Sequence, residues 1–325
     1  MSSSFSQLKW WKTYFTPNRY SYDQIPDQTG KVAIVTGANT GLGYATIVAL
    51  AGHGAHVFLA CRSKERALGA IERAKKEIKE SYPHAASPKL EFLELDLNDI
   101  TKCKKAADEF QSRNLPLHLL VNNSGIICPF QLSADGIEKQ FAVNHMGHFV
   151  FTMALLDRLK ASQPSRIVIL SSLAHENITD GIDFETLNDE SKLDNMARYA
   201  RAKLANVLFA KALARRLAKE RVYVNIAHPG YVTQTELNRD EGVYPGPVKW
   251  VLDLMFRLNG RPPKEGALTQ LYGATSPEIE NKDLRGRYFI PIANEIQPSK
   301  VARDEELQER LWRYSEDIAR KHVKA

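Results

Sequence analysis

The sequence predicts an α/β protein, a doubly wound parallel sheet of about seven strands with helices on both faces, in a single domain. Three observations carry this prediction. From Lys31 onward, short β-branched runs alternate with longer helical patterns, as βαβ units do. Most of those runs are apolar at every position, which suits a strand buried between two helical layers. The first run, Val32-Ala33-Ile34-Val35-Thr36, leads directly into a glycine-rich turn and then a helical stretch.

Taken in order, residues 1–30 form an appendage rich in aromatics and turn formers. Strands are read over 32–36, 56–60, 90–95, 117–121, 166–171 and 223–227, with a seventh near 287–290. Helices are read over 41–51, 63–80, 100–112, 134–160, 196–219 and 263–274. Residues 194–214 hold neither Pro nor Gly and many Ala and Leu, which favours a continuous helix. Residues 304–321 read as a charged terminal helix. The 325 residues would allow two domains by length. No repeat or low-complexity segment divides the series, so we read one domain over 31–300, an N-terminal extension over 1–30 and a helical tail over 301–325.

Composition narrows the function classes. The chain is 43% hydrophobic and 25% charged, which excludes wholesale disorder. Cys61, Cys103 and Cys128 are too few and too scattered for a disulfide scaffold or a zinc cluster, and they fit a reducing, cytoplasmic setting. The net charge of +6 includes mixed-sign stretches such as residues 64–80. These read as solvated helix faces, not as a nucleic-acid footprint. No uninterrupted apolar window of about 18 residues marks a transmembrane helix, and the polar start lacks a secretory pattern. Trp10, Trp11, Tyr14 and Phe15 form one aromatic cluster, and Trp250, Val251, Leu254, Met255, Phe256 and Leu258 form an apolar one. We read both as packed on the domain or roofing a pocket, with contact to a membrane surface as the alternative.

The turn is Thr36-Gly37-Ala38-Asn39-Thr40-Gly41-Leu42-Gly43. Glycines there allow a sharp turn and bring bare amides close to a pyrophosphate, with the positive end of the next helix behind them. No Gly-Lys-Ser/Thr follows, which disfavours a nucleoside triphosphate. The turn therefore reads as a Rossmann-type dinucleotide site, and Gly37, Asn39, Thr40, Gly41, Leu42 and Gly43 are assigned to cofactor binding. At the end of the second strand stands Ala60-Cys61-Arg62-Ser63-Lys64, with no carboxylate before Glu65. A carboxylate would bond a free ribose hydroxyl, whereas the Arg62 guanidinium can grip a 2′-phosphate. The cofactor read from this is NADP(H).

Tyr199-Ala200-Arg201-Ala202-Lys203 places Tyr and Lys at i and i+4 on a predicted helix, on one face and a turn apart. A phenol with a pKa of about 10 is a poor proton donor near neutrality, and a neighbouring ammonium favours its ionised form. The pair gains weight from Ser171-Ser172 at the end of the fifth strand and from Asn144 in the preceding helix.

With these motifs the sequence resembles the short-chain dehydrogenase/reductase family over roughly residues 31–293. The matching stretches are Thr36–Gly43, Asp96-Leu97, Asn122-Asn123-Ser124-Gly125, Asn144, Ser171-Ser172, Tyr199–Lys203 and Pro229-Gly230. Residues 143–149, 171–175 and 203–209 resemble the retinol-dehydrogenase-like branch, and the two ends of the chain resemble its fungal members. The resemblance implies that Tyr199 is the proton donor or acceptor. It implies that Lys203 tunes Tyr199 and holds the nicotinamide ribose, and that Ser172 bonds the reacting oxygen, with Ser171 the structural serine. It also implies that Asn144 holds a water linking Lys203 to solvent. Asp96 and Leu97 fall at the adenine, Asn123, Ser124 and Gly125 at the adenosine ribose, and Pro229, Gly230 and Val232 over the nicotinamide.

Three positions depart from the family pattern. Ser124 stands where alanine is usual, and Ala202 where serine is common. Gln234, flanked by Thr233 and Thr235, stands at the usual hydroxyl position, so the partner of the carboxamide stays open among the three. His145, His148 and His175 lack carboxylate company and a ligand spacing, so we read them as structural or pocket-lining and assign no metal. The implied activity is hydride transfer between NADP(H) and a lipophilic aldehyde, ketone or alcohol, with a lid around residues 232–263 that includes Tyr244. Retinoids and steroids are among the carbonyls the family offers. A non-catalytic NADP(H)-binding regulator is the second reading; loss of the tyrosine, lysine or serine would signal it, and all three are present. Helices like those of Asn144 and Tyr199 pair between subunits in this family, and the oligomeric state stays open.

Overall fold

The computed structural model describes residues 16–233, 237 and 260–323. Eight strands form one sheet in the order β3-β2-β1-β4-β5-β6-β7-β8. They are β1 (Val32–Thr36), β2 (His56–Cys61), β3 (Lys89–Glu94), β4 (Leu119–Asn122), β5 (Ser165–Leu170), β6 (Val222–Ala227), β7 (Tyr288–Ile290) and β8 (Asn294–Ile296). Every neighbouring pair is parallel except β7 with β8, which is antiparallel. That eighth strand is an addition to the expected seven. At three residues it is too short to show a period of two.

The helices are α1 (Gly41–Gly52), α2 (Lys64–Ser81), α3 (Ile100–Ser112), α4 (Lys139–Phe141), α5 (Gly147–Ala161), α6 (Asn195–Arg216), α7 (Pro263–Thr275), α8 (Glu278–Asn281) and α9 (Glu305–His322). Alternate residues of a strand face opposite layers. Thus Ile34 joins a core with Phe110, Phe149 and Leu208 of α3, α5 and α6, while Ala33 and Val35 join Ile47, Ile71 and Leu271 of α1, α2 and α7. Both faces of the sheet are covered, as its apolar strands require.

One expected helix is corrected. The span 134–160 does not begin as a helix, because Gly136 takes φ +73° and Ser133 N donates to Ile137 O in a tight turn. The helix begins after Glu138, whose carboxylate accepts from the amides of Gln140 and Phe141. A π turn over Ala142–Met146 then joins α4 to α5. Mid-helix π turns gather at functional sites, and this one carries Asn144.

The extension is docked from Thr16 onward. Tyr20 is buried and its hydroxyl shares a 2.7 Å hydrogen bond with Thr275 of α7, while Tyr22 donates to Lys264 O. Trp10, Trp11, Tyr14 and Phe15 lie outside the described residues. So do Gln234, Thr235, Tyr244, Trp250, Val251, Leu254, Met255, Phe256 and Leu258. No helix among the described residues is long and apolar enough to cross a membrane.

At the other end, Asp304 caps α9 by accepting from Leu307 N. Leu307, Leu311, Trp312 and Ser315 recur at helical spacing and are buried. The Trp312 ring meets Phe149 edge-on at 5.4 Å and lies 3.8 Å from the Arg216 guanidinium. The tail therefore covers the outer side of α5 and α6, the helices that follow Asn144 and carry Tyr199.

Candidate active site

The strand order reverses where β1 lies between β2 and β4, and a crevice at such a switch point is where α/β sheets bind ligands. The turn after β1 occupies it. Gly37 and Gly41 take φ of +65° and +58°, which side chains oppose. A Cβ on Gly43 would lie 2.5 Å from Gly37 O and 2.8 Å from Ala38 Cα, so the first turn of α1 presses directly on the loop. Thr40, the N-cap, makes no side-chain capping bond, and no acidic residue occupies the first turn. The first amides of α1 are thus left without a side-chain cap at the positive end of the helix. A cradle closed to side chains, faced by those amides, fits a dinucleotide pyrophosphate.

Thr36 ties this turn to the end of β4. Its hydroxyl oxygen accepts from Asn123 N and Ser124 N, each at 2.9 Å, and Asn123 Nδ2 donates to Thr36 O at 2.8 Å. Asp96 accepts from Asn98 N and faces Lys102 Nζ at 3.6 Å. Buried Leu97 packs so closely on Gly147 that its carbonyl oxygen would lie 2.7 Å from a Cβ there. Arg62 is exposed just beyond β2 and enters no ion pair among the described residues. Arg73 donates to Asn39 O at 3.1 Å, bracing the same loop from α2. Burial pushes the Cys61 thiol up to about 11, so it stays protonated beside the turn.

On the catalytic side, Asp194 caps α6 by accepting from Ala197 N. One turn further, Lys203 Nζ lies 5.5 Å from the centre of the Tyr199 ring, and both residues are buried. Nζ donates to Leu170 O at 3.4 Å, and burial pushes the ammonium down to about 8. Gly125 sits between groups: a Cβ there would lie 3.2 Å from Asn144 Oδ1 and 3.3 Å from Lys203 Nζ. The Asn144 amide is held at both ends by Ile126, accepting from its N at 2.8 Å and donating to its O at 3.0 Å.

The two serines differ in what they touch. Ser171 Oγ donates to Lys203 O inside the core. Ser172 Oγ accepts from Ala174 N at 3.2 Å, which leaves its proton free to be donated. Buried His175 holds that segment, with Nδ1 donating to Ser172 O at 2.6 Å and Nε2 accepting from Ser299 N at 3.3 Å.

After β6, Gly230 takes φ +83°, and a Cβ there would lie 2.8 Å from Pro291 Cγ. Val232 bridges Arg261, and Thr233 spends both its amide and its hydroxyl on Arg261 O. Leu237 O accepts from Ile127 N, and its side chain reaches Gly125, with Cδ1 3.7 Å from a Cβ there. The structure thus gathers Asn144, Ser172, Tyr199 and Lys203 at the carboxyl end of the sheet, the end at which the glycine turn also leaves β1. Thr36, which opens the glycine turn, and His148 and His175, expected as structural or pocket-lining, also belong to this region. The only local signal was His148 lying four residues after Asn144, one helical turn away.

A family model described as short chain dehydrogenase matches residues 31–184. Over 294 residues the chain is 40% identical to human retinol dehydrogenase 14, covering 88% of this chain and 85% of that protein. The chain belongs to the short-chain dehydrogenase/reductase family. This dehydrogenase/reductase falls on its retinol-dehydrogenase-like side. It is also 38% identical over 326 residues to an uncharacterised oxidoreductase of Schizosaccharomyces pombe, across 98% of this chain and 93% of that one. Among solved structures, an uncharacterised Mycobacterium paratuberculosis protein is similar to it with a TM-score of 0.70 and 29% identity, covering 93% and 97% of the two chains. Membership makes this short-chain dehydrogenase/reductase an oxidoreductase of alcohol and carbonyl groups with a nicotinamide cofactor.

Proposed function

We propose that this chain is an NADP(H)-dependent carbonyl reductase of lipophilic aldehydes and ketones, working in a reducing cytosolic setting. The observation that carries the reading is the buried Lys203 ammonium 5.5 Å from the Tyr199 ring, at the sheet end that also carries the glycine turn. Gly37, Asn39, Thr40, Gly41, Leu42 and Gly43 hold the pyrophosphate, Asp96 and Leu97 flank the adenine, and Asn123, Ser124 and Gly125 line the ribose. Arg62, exposed and outside any ion pair among the described residues, meets the 2′-phosphate. Pro229, Gly230 and Val232 cover the nicotinamide. When bound, that ring supplies the hydride.

The proton is this chain's work. Tyr199 donates it to the substrate oxygen, and the Lys203 charge favours the phenolate left behind. Ser172 gives its unspent hydroxyl proton to the same oxygen as charge grows there. A positioned acid contributes on the order of 10²–10⁴-fold, and a preorganised oxyanion donor roughly 10²–10³-fold. Asn144 offers its backbone carbonyl to a water through which Lys203 reaches solvent. The three described thiols are free and buried, which suits a reducing compartment.

The test is oxidation of NADPH and of NADH over a panel of lipophilic carbonyls, with Tyr199→Phe alongside. The expected result is turnover favouring NADPH, and a loss of at least about 10²-fold in kcat/KM for the variant at unchanged cofactor affinity. Tight cofactor binding with no turnover across the panel would replace this reading with that of a binding regulator.

A further inference from the structure

A buried run of polar groups joins the cofactor turn to Asn144, and the proposed reaction leaves its central member unused. That member is His148, on the first turn of α5 and only 3% exposed. Its Nδ1 lies 3.1 Å from Asn144 O, and its Nε2 lies 2.9 Å from Thr36 Oγ1. A carbonyl only accepts, so Nδ1 carries the ring proton. Nε2 is then an acceptor and takes the proton of the Thr36 hydroxyl, whose oxygen in turn accepts the amides of Asn123 and Ser124. Each donor in the run meets one acceptor. No second assignment satisfies them all. Burial keeps the ring neutral by pushing it down to about 4, and the Lys203 charge acts in the same sense.

The π turn places Asn144 where this run ends. Gly147 N donates to Ala142 O, five residues back, at the close of that turn. The imidazole takes one lone pair of the Asn144 carbonyl and so constrains its direction, and a carbonyl oxygen carries a second lone pair that a water can use. At its other end the run holds the strand-end threonine that opens the glycine turn.

We propose that His148 is a positioning residue that couples seating of the dinucleotide on the 36–43 turn to the aim of the Asn144 carbonyl in the proton path. This rests on the reading above that Asn144 serves that path. The coupling has two separable halves. An asparagine at 148 can place an N–H where Nδ1 was, keeping the Asn144 half. A glutamine can place its oxygen where Nε2 was, keeping the Thr36 half.

The experiment uses the full chain with His148→Asn, His148→Gln and His148→Leu. Three quantities are read: the tautomer of His148 by nitrogen NMR on histidine-labelled protein, the Kd for NADPH by its fluorescence, and the pH profile of kcat with one accepted carbonyl. In the unsubstituted chain we expect a neutral ring protonated on Nδ1 that does not titrate between pH 6 and pH 9. His148→Gln should keep Kd within about threefold while kcat falls roughly tenfold and its pH profile moves. His148→Asn should do the reverse, with Kd weakened roughly tenfold and the profile kept. His148→Leu should lose both.

A ring protonated on Nε2, or one that titrates in that range, overturns the proposal. So do equal losses in both readouts for Asn and Gln, which is what a purely packing role gives. The tautomer needs no variant, so it decides even if every replacement fails to fold. If the unsubstituted chain binds NADPH but reduces no carbonyl, the proposed function falls, while the tautomer and the Kd contrast still judge the Thr36 half.

Discussion

Gly43 shows how little room the cofactor turn leaves. Any Cβ there meets Gly37 O at 2.5 Å and Ala38 Cα at 2.8 Å, both backbone atoms that cannot swing aside. Gly43→Ala should therefore part the turn from α1 and weaken NADPH binding by at least about tenfold, measured as Kd with the melting temperature alongside. Gly69→Ala is the control: its Cβ meets only the end of Arg73 at 3.6 Å, in the exposed face of α2. There the gain in helix propensity of about 1 kcal/mol should leave Kd unchanged and stability equal or higher. The turn, Tyr199 and Lys203 were legible as candidates in sequence, because their short spacings stand in the company of Ser171-Ser172 and Asn144. His148 and His175 were not, since their partners lie far off: Thr36 is 112 residues from His148, and Ser299 is 124 from His175.

Among the elements, α9 is anchored largely through one side chain. Trp312 fills a niche between Phe149 and Phe209, with Arg216 across its face. Arg216 and Arg215 both pair with Glu309, but such half-exposed pairs contribute little. Trp312→Ala should cost about 3–5 kcal/mol in urea unfolding, against under about 1 kcal/mol for Glu309→Gln. A loss below about 1 kcal/mol for the tryptophan would mean that α9 does not seal this face. The sequence revealed α9 as a charged terminal helix over 304–321, and the structure adds the buried stripe of Leu307, Leu311 and Trp312. The sequence did not reveal where that apolar stripe lands. The six long strands were likewise legible from their apolar runs. The π turn was not, because inserting one residue per turn leaves the apolar pattern of 139–161 looking like an ordinary helix.

Across the whole molecule, buried histidines set the response to acid. His145 and His228 are pushed down to about 3 and His148 to about 4 by burial, against 6.5 for an ordinary imidazole. Their folded values are depressed, so the unfolded chain binds more protons below 6.5. Stability is whole above that pH and drains as the pH falls towards 4, by about 1.4 kcal/mol per pH unit for each ring. Glu138 and Asp135, raised by burial, act in the opposite sense, and Asp99 and Glu309, both lowered, join the loss only below the ordinary carboxylate range. Urea midpoints should therefore fall steeply from pH 6.5 to 5, and a flat profile would show that these rings are not sealed from water. The doubly wound architecture itself was readable from sequence, because alternation along the chain dictates it. The sealing was not, since it depends on partners far off in the chain, such as Ser315 of α9 against His145. Because α9 follows α5 and α6 in the chain, the oily flank of Phe149 and Phe209 stays bare during translation until Trp312 emerges, and a nonsense codon between Phe209 and Trp312 would leave behind a client for chaperones and proteases.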